Sequence, residues 1–183
     1  AKVGKNFDPF SKCDDFKKMM ESGLGDKVDI AFMKMCYVDV IAKTDVDELF
    51  RYYTETMGYL EKKYPKTIFV HFTVPLTISQ KGWKVRVKRL LHKPLWDDED
   101  NIKRFLYNEK LREKYGASGR LFELAEYEST WPDGSRSSFY LDGKKYFNLV
   151  SAYAWDEGHL TEMGKRWVGG KLLGYLQGLK VND

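Results

Sequence analysis

A chain of 183 residues is long enough for one domain with a real core, and its 43% hydrophobic and 15% aromatic content argues against a disordered tail. The net charge of +4 is spread over mixed signs, so nucleic acid is not expected as a partner. No apolar run approaches the roughly 18 residues of a membrane span, and no signal peptide is present.

Cys13 and Cys36 are the only cysteines, too few for a disulfide framework, and are read as free thiols. The sequence starts at Ala1, not Met. Removal of an export signal or of a larger N-terminal piece would give such a start, as would an expression scar. A secreted or periplasmic setting is favoured over the cytoplasm.

Residues 1–10 are punctuated by glycine and proline and read as a loop. A helix is expected from Ser11 to Ser22, capped by Ser11, with Phe16, Met19 and Met20 on one face. Val28 to Val40 (VDIAFMKMCYVDV) reads as a buried strand carrying Cys36, Tyr37 and Asp39 at its carboxyl end. Thr44 then opens a helix with Asp45, Asp47 and Glu48 in its first turn. Val46, Leu49, Phe50, Tyr53, Met57, Leu60 and Tyr64 follow in three- and four-residue steps until Pro65 ends it. Thr67 to Pro75 (TIFVHFTVP) is a second buried strand. Two buried strands joined by a crossover helix should be parallel.

Residues 77–96 form a basic, aromatic stretch in which Lys84, Arg86 and Lys88 alternate with Val85 and Val87, as in an exposed strand or hairpin. Asp97 to Tyr115 resumes helix, with Ile102, Phe105, Leu106 and Leu111 inward and Gly116 as its stop. Leu121 to Tyr127 is a third strand, Trp131 to Gly134 a turn, and Asp142-Gly143 a hairpin tip. Leu160, Gly164, Val168, Leu172, Leu176 and Leu179 line one face of a last helix. No repeat or linker divides residues 1–183, which read as one domain.

That order describes an open, doubly wound α/β sheet, whose sites form beyond the carboxyl ends of the strands. Asp39, Pro75–Thr77 and the Glu128–Trp131 turn fall on that edge, and the loop holding Asp156 and His159 would enter it. An aspartate three residues before a histidine can fold back onto Nδ1. The pair then fixes the tautomer and leaves Nε2 free to take a proton. His71 sits among apolar residues and reads as a core histidine; His92 lies in the basic stretch and reads as solvent-facing. Two Cys and three His lie too far apart for a metal site. No glycine-rich phosphate loop follows a strand, so no cofactor is expected.

The block DEGHLTEMGKRW resembles the last motif of the SGNH/GDSL hydrolases, in which Asp-x-x-His precedes a glycine-containing helix. The resemblance implies a three-layer α/β/α, flavodoxin-like open parallel sheet. It also implies hydrolysis of an ester, lipid or O-acylated carbohydrate through an acyl-enzyme. His159 would act as general base and then general acid, with Asp156 orienting it. Cys36-Tyr37-Val38-Asp39 stands where the family has Gly-x-Asn-Asp, which places Cys36 and Asp39 in the oxyanion region. There the aspartate matches and the Asn does not, so backbone N–H groups would have to replace it. Nothing fits the family's Gly-Asp-Ser block, so an N-terminal strand carrying the nucleophile is expected to be missing. Cys36 itself reads as a small buried hydrophobe. The alternative is a non-catalytic binding module, for carbohydrate, using Trp131, Tyr140, Tyr146, Tyr153 and Trp155.

Overall fold

The structure, a computed structural model, describes residues 3–79, 85, 87, 91 and 95–179. Helix α1 (Pro9–Met19) opens two residues before the expected Ser11, because Pro9 suits a first helical position and the Asp8 carboxylate accepts the Ser11 N–H at 3.1 Å. A π-type turn, Met20–Leu24, follows, with Gly23 at φ 99°. Asp45 caps α2 (Val46–Lys63) by accepting the Asp47 and Glu48 N–H groups, both at 3.0 Å. Val46, Leu49, Tyr53, Met57 and Leu60 form its buried face.

Strand β1 (Ile30–Phe32) pairs in parallel with β2 (Ile68–Phe72), which pairs in parallel with β3 (Leu121–Phe122). The sheet order is β1-β2-β3. Successive residues face opposite layers. Ala31, Phe69 and Leu121 pack with α1, α2 and α3 (Trp96–Tyr115). Ile30, Ile68, Val70, Phe72 and Phe122 pack against Val168, Leu172 and Leu179 at the C-terminal helix α5 (Glu162–Gly178). This is a three-layer α/β fold. The outer side of β1 pairs with no described strand, and Phe32 there is 42% exposed. No described helix is long and apolar enough to cross a membrane.

All three strands are shorter than expected, and one reason serves for β2. Beyond Phe72 the chain stays extended and buried, but side chains replace a neighbouring strand. Asn108 accepts the Val74 N–H (2.7 Å) and donates to the Val74 carbonyl (3.0 Å); Asn101 does the same at Thr77 (3.0 and 2.9 Å). Every polar group of a buried segment needs a partner, and α3 supplies those at Val74 and Thr77. The buried side of α3 is therefore partly polar, beside the apolar Tyr107, Leu111 and Tyr115. Asn101, Arg104 and Asn108 are at most 1% exposed, while Leu106, expected inward, is 40% exposed.

Beyond Phe122 the expected strand gives way to a short helix, α4 (Leu124–Ser129), where Thr73 Oγ1 accepts the Ala125 N–H at 2.9 Å. Beyond Phe32 the chain leaves the ladder for a 3-10 turn, Tyr37–Asp39. The hairpin β4 (Ser138–Leu141) and β5 (Lys144–Phe147) turns at Asp142 (φ 49°) and Gly143 (φ 76°), the left-handed pair that a tight two-residue hairpin requires. Of the basic stretch, little lies within the described residues, and His92 lies outside them. Val87 accepts the Leu91 N–H at 3.0 Å, a helical step where a strand was expected.

Candidate active site

The Asp156–His159 loop is built by short-range bonds. Asp156 Oδ1 accepts the N–H groups of Gly158 (2.9 Å) and His159 (2.8 Å), and Oδ2 lies 2.7 Å from His159 Nδ1. Those backbone donors, with the imidazole, hold the Asp156 carboxyl at about 2, well below its ordinary 3.8. It is thus ionised throughout the neutral range. The loop is anchored at three places: Trp155 N–H donates to the His159 carbonyl (2.7 Å), Thr161 N–H to the Tyr153 carbonyl (2.8 Å), and Ile78 N–H to the Glu157 carbonyl (2.8 Å). The last ties it to the exit of β2. Thr161 Oγ1 then accepts the Gly164 N–H at 3.2 Å and caps α5. Any Cβ on Gly164 would meet the Tyr153 backbone at 2.9 Å, so only glycine permits this close seat.

His159 lines a cleft of about 380 Å³ over the carboxyl ends of all three parallel strands. Phe32, Phe72, Phe122, Leu124, Val168 and Leu172 form its apolar walls; Lys34, Cys36, Tyr37, Glu128 and Lys165 supply polar groups. With Nδ1 engaged by Asp156, Nε2 is the nitrogen left without a protein partner among the described residues. A larger hollow of about 640 Å³ lies between α2 and α3, but charged side chains such as Lys43, Asp47 and Lys110 rim it, away from the strand ends.

The other expected residues have divided places. Cys36 lines the cleft, and its carbonyl accepts the Asp39 N–H at 3.0 Å. Asp39 does not line it. Its carboxylate is buried and ion-paired with Lys12 at 2.5 Å, and also accepts the Cys36 N–H (2.6 Å) and Phe7 N–H (3.2 Å). It shapes the Cys36–Asp39 turn from behind. Both thiols are free. His71 is a core residue: Nδ1 lies 2.9 Å from the Tyr53 hydroxyl, its ring stacks on Tyr115 at 3.5 Å, and burial lowers its pKa. No group of three or more His, Cys, Asp or Glu suited to a metal occurs among the described residues. The aromatic loops do not form one platform. Tyr153 is buried and Trp131 packs against it, whereas Trp155 and Tyr140 are 81% and 62% exposed.

Two groups at the site are not among the residues expected to carry its chemistry. Glu128 is fully buried, accepts the Leu76 N–H at 2.9 Å, and is pushed by burial from an ordinary 4.5 to about 7. Arg104, also buried, donates from Nε to the carbonyls of Tyr37 and Val40 (3.0 Å each) and from Nη1 to Thr77 Oγ1 (2.7 Å). Only a polar spacing of three and four residues in α3 hinted at the second.

Glu128 leaves a measurable trace. Between about pH 4.5 and 7 the folded carboxyl stays protonated while the unfolded one ionises. The Glu128 contribution to stability should therefore fall as pH rises through that window, by about 3 kcal/mol in all. Glu128→Gln keeps an acceptor for Leu76 N–H and should abolish that slope in urea titrations run at pH 4.5 and 8.

No protein-family model matches the sequence, and no curated protein matches it. A solved structure provisionally described as a platelet activating factor from Streptococcus pneumoniae matches with a TM-score of 0.55 and 17% identity, over 87% of this chain and 67% of that one. Identity that low speaks for the fold alone. Together with the layers described above, it makes the chain an α/β protein.

Proposed function

We propose that the chain carries the acid–base part of an ester hydrolase of SGNH type. The supporting observation is the Asp156–His159 pair, 2.7 Å apart, on a cleft over the strands' carboxyl ends. The likeness to the streptococcal structure adds agreement in fold. In this reading His159 Nε2 takes the proton of a serine hydroxyl as the oxygen bonds the ester carbonyl carbon. The bond to the alcohol then breaks, and the alcohol leaves with the proton from Nε2. Water repeats the sequence on the acyl-enzyme, releasing the acid and the serine. Asp156 holds the ring and stabilises its charged form.

Among the described residues, the His159 ring is bonded to Asp156 and contacts Tyr37, and to no serine. The nucleophile would stand on a strand paired with the open side of β1, whose carboxyl end points into the cleft. Parallel strands are ordinarily flanked on both sides and covered on both faces, whereas β1 pairs with a described strand on one side only, and Phe32, though stacked on Phe72, is still 42% exposed. The test is hydrolysis of p-nitrophenyl acetate by the polypeptide as its gene encodes it. Turnover above the buffer rate is expected; none with acetate, butyrate or octanoate esters would reject the reading.

A further inference from the structure

We infer that Tyr37 is a positioning residue for His159, and that buried Arg104 holds it in place. This rests on the acid–base reading of His159. The histidine needs outside support, because its side chain is 67% exposed and that of Asp156 46%. An exposed ion pair three residues apart is worth little by itself and does not confine a ring.

Tyr37 supplies the missing wall. Its ring meets the His159 ring edge-on, with centroids 5.5 Å apart and planes at 82°. It also lies close against the backbone at Gly158. A Cβ on Gly158 would stand 2.6 Å from that ring, so glycine is what lets the loop press onto it. The hydroxyl, 3.5 Å from Nδ1, is too far to compete with Asp156 at 2.7 Å. Burial, and then the charge of Asp156, raise the phenol's pKa, so it is neutral and acts through packing.

Tyr37 is itself fixed from below. Arg104 Nε donates to its carbonyl at 3.0 Å, and the guanidinium lies 5.8 Å from its ring centroid. Burial lowers the Arg104 pKa to about 10, which leaves it charged at neutral pH. Through Thr77 and Asn101 the same guanidinium grips the β2 exit, beside which Ile78 holds the His159 loop. One buried cation thus ties both sides of the cleft to a common frame.

The test is the downfield Nδ1–H proton signal of His159, with kcat and KM for p-nitrophenyl acetate, in the full polypeptide. Tyr37→Phe should keep the signal and hold kcat within about twofold, since packing is retained, whereas Tyr37→Ala should broaden the signal and lower kcat about 10- to 100-fold with little change in KM. Should Tyr37→Ala fail to fold, Gly158→Ala, which pushes the ring away, carries the same expectation. A sharp signal and undiminished kcat in the variant that folds would overturn the inference. The proton signal decides it even if no ester is hydrolysed, which would count against the proposed function only.

Discussion

His159→Ala is expected to reduce kcat/KM for p-nitrophenyl acetate by about 10⁴-fold or more, leaving only what binding and polarisation of the ester supply. Asp156→Asn should approach that loss by another route. Its Oδ1 can still accept the Gly158 and His159 N–H groups, so the loop survives. The amide nitrogen, however, would donate to Nδ1 where the carboxylate now accepts. That forces the ring proton onto Nε2, the nitrogen required as base, and a fall of about 10³- to 10⁴-fold follows. KM should change little in either variant, because neither side chain forms the apolar walls. As the Asp156 carboxyl sits at about 2, its own protonation contributes nothing to any loss of activity between pH 4 and 7. Stopped or steady-state assays across that range check both points. An Asp156→Asn enzyme within tenfold of wild type would remove the carboxylate from the mechanism.

The second large effect is on stability. Asp39→Ala strands Lys12, whose side chain is only 8% exposed, without its counter-charge. It also leaves the Cys36 and Phe7 N–H groups without their acceptor. Breaking a buried pair from one side costs about 3–5 kcal/mol, far more than the intact pair contributes. Urea denaturation should show a loss of that size. Lys12→Met on the same background should restore part of it, since the stranded charge is gone while the two backbone donors remain unsatisfied. A loss under about 1 kcal/mol would mean that the turn finds other partners. Because this turn carries Cys36 and Tyr37 to the cleft, Asp39 supports the site without lining it.

The legible parts of the chain were those whose partners are close in sequence. Asp156 and His159 make their bonds across three residues, and α2 shows its apolar face in regular steps. What stayed hidden depends on distant partners. Asn101, Arg104 and Asn108 look like a solvated helix face, yet they are buried because the β2 exit needs side-chain partners that no strand supplies. The same substitution explains why β2 is shorter than its composition suggests: apolar residues continue past Phe72, but the ladder does not. Glu128 was placed on the right edge as part of a turn. Its helix, and the burial that raises its carboxyl, could not be read from neighbours in sequence, because its partner Leu76 lies 52 residues away.

The most direct test of the central claim is reaction of the gene-encoded polypeptide with a fluorophosphonate, followed by peptide mapping. One adduct is expected, on a serine in a segment that pairs with the open side of β1, and it should be lost in His159→Ala. No adduct, or an adduct that persists undiminished without the imidazole, would contradict it.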